Sequence, residues 1–135
     1  MINMELYDLL NILNIDIEKN IELAIEETRN DLKLLKKEGT CIVYTSYLYR
    51  HLKEKHIVGR IVDTKEDLNM DCLHRFIVIP KDKNNRYVAD LTYEQFGYNP
   101  LFSDIYSKGY QILSNAMYLN YLNGISYKND NLKKK

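Results

Sequence analysis

Residues 74–92, HRFIVIPKDKNNRYVADLT, decide how this chain folds. Two runs rich in β-branched and aromatic residues, 74–79 and 86–92, flank the stretch 80–85, whose Pro, Asp, Asn and Lys residues are typical of a turn. The pattern predicts a β-hairpin, and Pro80 suits the end of its first strand because it has no amide hydrogen to donate. Both faces of this hairpin are largely apolar, which predicts that helices cover it.

Helical patterns precede the hairpin. Apolar residues recur every three or four positions up to residue 13, and again from Ile17 to Lys37 after a break expected at residues 14–16. Gly39 is placed as the C-terminal cap of the second helix, and another helix is predicted over Cys41–Lys55. The stripe expected to face the core in the second helix comprises Ile21, Ile25, Thr28, Leu32 and Leu35.

The remaining segments complete an α+β prediction, with N-terminal helices packed on a small antiparallel sheet. Residues 57–62 predict a strand, 63–71 a loop, and 105–121 either a last helix or a strand followed by a helix. We expect one domain over residues 1–125 and a polar, disordered tail over residues 126–135.

The charge and composition of the chain exclude several classes of protein. Lys plus Arg and Asp plus Glu both number 19, and a pI near 6.8 argues against a nucleic-acid binder. No apolar run reaches the ~18 residues of a membrane span, and the first residues lack the pattern of a secretory signal. Two cysteines are too few for a disulfide framework. We therefore expect a cytoplasmic protein without a membrane partner, and delivery as an effector remains compatible with the sequence.

Cys41 is the first candidate for chemistry. It opens a predicted helix, whose N-terminus carries partial positive charge and free N–H donors. A thiol in that position ionises more easily, and the same N–H groups can receive the oxyanion of a tetrahedral intermediate. The alternative is that Cys41 is a small buried hydrophobe, as free cysteines often are.

His74 and Asp90 are the second and third candidates. A hairpin turn centred near Asp82 places them directly opposite each other, on one face of adjacent strands. Asp90 would then accept the Nδ1–H of His74 and leave Nε2 to face Cys41. A slip of one residue would put the two side chains on opposite faces. The alternative is an edge histidine near an unrelated turn aspartate. With Cys41, the pair satisfies the logic of a nucleophile, a base and an orienting carboxylate.

The order of these residues resembles a known family. Gly39-Thr40-Cys41 opening a helix, then 74–78 (HRFIV) and 87–92 (YVADLT), resemble the catalytic core of the transglutaminase-like superfamily, distant relatives of papain-like enzymes. The resemblance covers residues 38–97, and the stretch that begins at Asp90 is similar to that of small bacterial and phage members. It implies a papain-like core and a Cys41–His74–Asp90 triad. Phe76 stands where members often carry Trp, and the side-chain oxyanion donor is left open among Asn20, Asn30 and Gln95.

Other polar clusters give weaker signals. Cys72 and His74 with Cys41 would offer three metal ligands, but no second closely spaced pair exists, so neither a metal nor a cofactor is expected. Cys72 as nucleophile would lack a helix dipole. His51 is expected on the surface, and His56 is interpreted as a partner of a helix C-terminus.

Three functions follow from these residues. The first is a thiol enzyme that acts on an amide or other acyl group of a protein or peptide through an acyl-enzyme, as a peptidase, deamidase or transglutaminase. The second is a non-catalytic interaction module on the same scaffold. The third is an acyltransferase resembling arylamine N-acetyltransferases, whose longer chains make it the minor alternative. The substrate and the oligomeric state stay open.

Overall fold

A computed structural model describes the backbone of residues 2–36 and 39–125, and side chains from residue 16 onward within those ranges. Two helices open the chain, and the four strands and three further helices follow, with two short 3₁₀ segments after the third strand. In order they are α1 (Ile2–Asp31), α2 (Cys41–Glu54), β1 (Arg60–Asp63), α3 (Thr64–Leu68), β2 (Arg75–Pro80), β3 (Asn85–Ala89), the 3₁₀ segments Tyr93–Phe96 and Pro100–Phe102, α4 (Ser103–Lys108), β4 (Tyr110–Ser114) and α5 (Asn115–Asn123).

The four strands form one antiparallel sheet in the order β1-β2-β3-β4. One face, with Ile77 and Tyr87, packs in a core with α1 and α2. The other face, with Phe76 and Val88, packs in a second core with side chains from the C-terminal third, among them Tyr121. The α+β class and the cover of helices on both faces of the hairpin are therefore confirmed. The predicted tail at residues 126–135 lies outside the described residues.

The first helix differs from its prediction. α1 runs without interruption through residues 14–16, because no Gly or Pro interrupts residues 2–31. It also ends at Asp31 rather than at Lys37, which itself lies outside the described residues. The predicted stripe is buried as far as Leu32, but Leu35 is 39% exposed because the chain has left the helix. The expected cap of this helix by Gly39 is thus wrong; Gly39 adopts φ +75° just before α2.

The segment 63–71 was expected to be a loop, and it contains α3 instead. The side chain of Asp63 caps this helix by accepting the backbone N–H groups of Lys65 and Glu66, both at 3.0 Å. The capping pattern, an acidic N-cap followed three residues later by Glu66, is visible in the sequence. A helix of five residues is too short to show hydrophobic periodicity, which is why the pattern of apolar residues missed it.

The other elements lie close to their predictions. α2 matches the predicted helix over Cys41–Lys55 to one residue, and β2 and β3 form the expected hairpin. β1 starts at Arg60 rather than at Ile57. Of the two alternatives for residues 105–121, the strand followed by a helix is correct, as β4 and α5. None of the described helices combines the length and the apolarity needed to cross a membrane.

Candidate active site

Cys41 lies at the first turn of α2, against the start of β2. The hydroxyl of Thr45, one turn further along, donates to the backbone carbonyl of Arg75 at 3.1 Å and ties the helix to the strand. The backbone N–H of Arg75 in turn hydrogen-bonds the sulfur of Cys41. Cys41 is 8% exposed, so it is nearly buried. The helix start therefore holds the thiol at the end of the sheet.

His74 directly precedes β2 and is fully buried. Thr64 fixes its backbone on both sides: the His74 N–H donates to the Thr64 hydroxyl at 2.8 Å, and the Thr64 N–H donates to the His74 carbonyl at 2.9 Å. The edge of the ring meets Phe96, with centroids 4.8 Å apart. The imidazole is thereby held in one orientation by backbone bonds and packing.

Asp90 directly follows β3 and orients the imidazole of His74. Its Oδ2 lies 2.7 Å from Nε2 of His74. Its Oδ1 accepts the backbone N–H of Thr92 at 3.1 Å, and its own N–H donates to the carbonyl of Gly109 at 2.9 Å. The hydroxyl of Tyr121, on α5, also donates to Oδ2. Both carboxylate oxygens are therefore satisfied in a buried environment.

The predicted pairing of His74 with Asp90 is close but not correct in register. The ladder pairs Ile77 with Ala89 and Pro80 with Arg86, so the turn is centred on residue 83 rather than on Asp82. His74 and Asp90 are consequently diagonal rather than directly opposed. The shift preserves which residues share a face, and diagonal neighbours remain within reach of each other.

The predicted roles of the two ring nitrogens are reversed. Nε2 contacts Asp90, whereas Nδ1 had been expected there. Because Asp90 occupies Nε2, Nδ1 is the ring atom left for the hydrogen bond between His74 and Cys41. The sulfur, the imidazole and the carboxylate still form one row, with the ring turned the other way.

The charges of this row favour an ion pair between Cys41 and His74. Burial raises the pKa of the Cys41 thiol, but hydrogen bonds from His74 and from the Arg75 backbone, with the charge of His74, outweigh it, so the pKa lies below the ordinary value. Burial lowers the pKa of His74, but the charge and hydrogen bond of Asp90, with the contact to Cys41, raise it to about 9. Both shifts favour a thiolate beside an imidazolium.

Of the three side chains considered as oxyanion donors, the structure brings Gln95 to the site. Its amide nitrogen lies 3.4 Å from Nδ1 of His74 and 3.4 Å from the hydroxyl of Thr92. Asn20 and Asn30 lie on α1, and neither forms a hydrogen bond to the triad among the described residues. Gln95 therefore lies on the side of the imidazole that faces the thiol.

The sequence also singled out Cys72, His51 and His56. Cys72 is buried and forms no disulfide with Cys41. His51, expected on the surface, is partly exposed on α2 and contacts Asp31 at 2.7 Å. His56 adopts φ +61° just beyond the end of α2, and its N–H donates to a carbonyl of the last turn. No group of three potential metal ligands is found in the described part of the chain.

Sequence reasoning missed two residues that hold the site, Tyr121 and Thr64. Tyr121 is one of twelve tyrosines and carries no local pattern that separates it from the others. Thr64 lies in the segment expected to be a loop. Thr64, at the start of α3, contacts His74, and Tyr121, on α5, contacts Asp90. Both contacts join residues that are distant in sequence, so no local pattern predicts them.

The chain matches no family model, no curated protein and no solved structure.

Proposed function

We propose that this protein is a thiol enzyme that cleaves or transfers an acyl group, with Cys41 as nucleophile, His74 as general acid and base, and Asp90 as the orienting carboxylate. The observation that carries the proposal is the buried contact of 2.7 Å between Nε2 of His74 and Oδ2 of Asp90, with Cys41 hydrogen-bonded to the same ring. A buried histidine and aspartate are costly unless paired, and here the pair is aimed at a thiol at a helix start.

The proposed reaction passes through a thioester. The Cys41 thiolate attacks the carbonyl carbon, a C–S bond forms, and the carbonyl electrons move to the oxygen. The intermediate collapses, the C–N bond breaks, and the leaving amine takes the proton from Nδ1 of His74. The neutral imidazole then accepts a proton from water as its oxygen attacks the thioester carbon. The C–S bond breaks, the acid leaves, and the thiolate and imidazolium are restored; an amine in place of water gives transamidation.

The start of α2 and Gln95 would stabilise the oxyanion in this mechanism. The backbone N–H of Cys41 belongs to the first turn of the helix, where N–H groups have no partner within the helix. Gln95 is the better placed of the three side-chain candidates because of its position beside Nδ1. Its contribution would add to that of the backbone donor.

The papain-like, transglutaminase-like core is part of the same proposal. A thiol at a helix start, with histidine and aspartate at neighbouring strands of an antiparallel sheet, agrees with what that resemblance implied. A protein or peptide amide is the substrate class proposed, and the same three residues serve hydrolysis, deamidation and transamidation.

Selective alkylation tests the nucleophile. Iodoacetamide at pH 6–7 should modify Cys41 and leave Cys72 unmodified, as intact mass and peptide mapping would show. Cys72→Ala is the matched control and should label like the wild type, whereas Cys41→Ala should not label. Equal labelling of both cysteines, or of Cys72 alone, would contradict the proposal.

The reaction type is tested by the mass of candidate substrates after incubation. A gain of about 1 Da indicates deamidation, fragments indicate a peptidase, and an added amine indicates transamidation. Cys41→Ser and Asp90→Asn proteins serve as inactive controls. Selective labelling of Cys41 without any covalent acyl-enzyme or product from a broad peptide library would favour the interaction module instead.

A further inference from the structure

Tyr121 contacts the proposed Cys41–His74–Asp90 triad at Asp90, the member farthest along the chain of contacts from the thiol. It lies on α5, is fully buried, and its hydroxyl donates to Oδ2 of Asp90. Nε2 of His74 contacts the same oxygen. One carboxylate oxygen therefore receives two hydrogen bonds, one from the base and one from a residue that the three-member row does not include.

The packing around Tyr121 holds its hydroxyl in place. Its ring stacks on Tyr93, with centroids 4.6 Å apart and 26° between the planes, and meets Phe76 at 5.1 Å, edge to face. The Tyr93 hydroxyl donates to the backbone carbonyl of Tyr121 at 3.2 Å. Phe76 also lies beside the ring of His74, at 6.1 Å. Tyr121 is thus fixed by the same core that encloses the imidazole.

The hydroxyl of Tyr121 remains a donor at every pH at which the fold is expected to function. Burial raises its pKa well above the ordinary value, and the charge of Asp90 raises it further. A neutral phenol beside an ionised carboxylate can only donate to it, and hydrogen bonds to charged groups are stronger than those between neutral groups. The bond therefore draws electron density from Oδ2 without adding a charge.

We propose that Tyr121 is a positioning residue, which fixes Oδ2 of Asp90 and moderates the pull of that carboxylate on the proton of His74. The inference rests on the proposed function, because it assigns a role to the same row of residues. A second donor on Oδ2 leaves less of its charge for the imidazolium. Removing the donor should thus strengthen the contact between Asp90 and His74 and raise the pKa of His74.

The test is an NMR titration of the three histidines in a Cys41→Ala background. This background removes the thiol, whose titration is coupled to that of His74. Adding Tyr121→Phe should raise the pKa of His74 by about 0.5 to 1 relative to Cys41→Ala alone. A His74 pKa that is unchanged or lowered would overturn the proposal.

Tyr93→Phe is the matched control. It removes a buried hydroxyl of the same aromatic cluster, and this hydroxyl donates to a backbone carbonyl rather than to Asp90. The carbonyl keeps another partner, because the N–H of Gly124 also donates to it at 3.2 Å. The His74 pKa should stay the same in this variant. A shift of equal size with Tyr93→Phe would mean that any loss of packing moves the titration, and would reject a specific role for Tyr121.

A second replacement covers the case in which Tyr121→Phe fails to fold. Replacing Tyr121 by 3-fluorotyrosine keeps the ring in place and makes the hydroxyl a stronger donor, so the pKa of His74 should fall. A rise or no change would contradict the proposal. Neither titration requires turnover. The expected shift of the His74 pKa without any acyl-enzyme would reject the proposed function alone. An acyl-enzyme without that shift would reject only the role of Tyr121.

Discussion

Two histidine–aspartate pairs in this protein have the same length and different surroundings. Nε2 of His74 lies 2.7 Å from Asp90, and Nε2 of His51 lies 2.7 Å from Asp31. The side chains of the first pair are 0% and 1% exposed, and those of the second are 15% and 41% exposed. Distance alone would rank the pairs as equal. Burial separates them, because charges removed from water interact strongly and depend on each other.

The two pairs also differ in what completes them. In the buried pair, both the carboxylate and the imidazole form further hydrogen bonds. Thr92 and Tyr121 donate to the carboxylate of Asp90, and Cys41 is hydrogen-bonded to the ring of His74. Nδ1 of His51 has no hydrogen bond, and Glu27 lies 3.8 Å away, which is too long for one. The surface pair ties α1 to α2, whereas the buried pair is built into a network that leads to a thiol.

The largest effect is expected when the buried pair loses its charge. Asp90→Asn removes the carboxylate that holds the proton on His74, and burial then lowers the pKa of the histidine. We expect a loss of about 3 kcal/mol in the free energy of unfolding, measured by urea denaturation at pH 7. A loss below 1 kcal/mol would place this pair in the same class as the surface pair.

The pH dependence of stability isolates the contribution of His74. Its pKa is raised from 6.5 to about 9 in the fold, so the stabilisation is complete below 6.5 and is lost as the pH rises toward 9. The lowered pKa of Cys41 acts in the opposite direction, gaining stability as the pH rises. In Cys41→Ala the contribution of the thiol to the His74 pKa is lost while that of Asp90 remains. Stability in this variant should therefore fall by about 2 kcal/mol from pH 6 to 9.5, as measured by urea denaturation at each pH. A flat profile in that variant would contradict a buried ion pair between His74 and Asp90. His51→Gln in the same background is the control.

His74→Asn tests the coupling of the ring to the thiol. Without the imidazolium, burial raises the pKa of Cys41 with one fewer opposing contact. Alkylation of Cys41 at pH 6.5 should slow by about 10-fold, as timed mass spectrometry would show. His51→Asn changes a partly exposed histidine of the same helix; it is the control and should alkylate at the wild-type rate.

The smallest effect is expected at the exposed pair. Asp31→Asn removes a contact in which the carboxylate is 41% exposed, and such pairs contribute about 0–1 kcal/mol. Thermal or urea denaturation should show a change within that range, and the alkylation of Cys41 should be unaffected. A loss comparable with that of Asp90→Asn would remove the distinction between the two regions.

The sequence predicts what depends on local patterns. The hairpin, α2 and the sharing of one face by His74 and Asp90 follow from turn residues, from the three-to-four-residue period and from residue facing, and the structure agrees with each. The place of Cys41 beside this pair was implied by the resemblance and not by these patterns. The register does not follow, because the turn is centred one residue later than expected, and the side chain of Asp82 accepts the N–H groups of Asn84 and Asn85 within it. Turn geometry of this kind depends on side-chain bonds that the residue types alone leave open.

The rest of the site depends on contacts between distant segments. Nε2 of His74 faces Asp90 in a ring that packs against Phe96, and Tyr121 reaches Asp90 from a helix 31 residues later. Neither contact has a signature in the neighbouring sequence. A site assembled from β2, β3, α2 and α5 is thus predictable in its chemistry and not in its orientation.

The pKa of the Cys41 thiol tests the central claim most directly. It is obtained from the rate of alkylation by iodoacetamide as a function of pH, with Cys72→Ala used so that only one thiol reports. The account predicts that half of the maximal rate is reached below pH 8.5, the value for a free thiol. A midpoint at or above 8.5 would show that the imidazole does not activate the sulfur, and the proposed enzyme would be rejected.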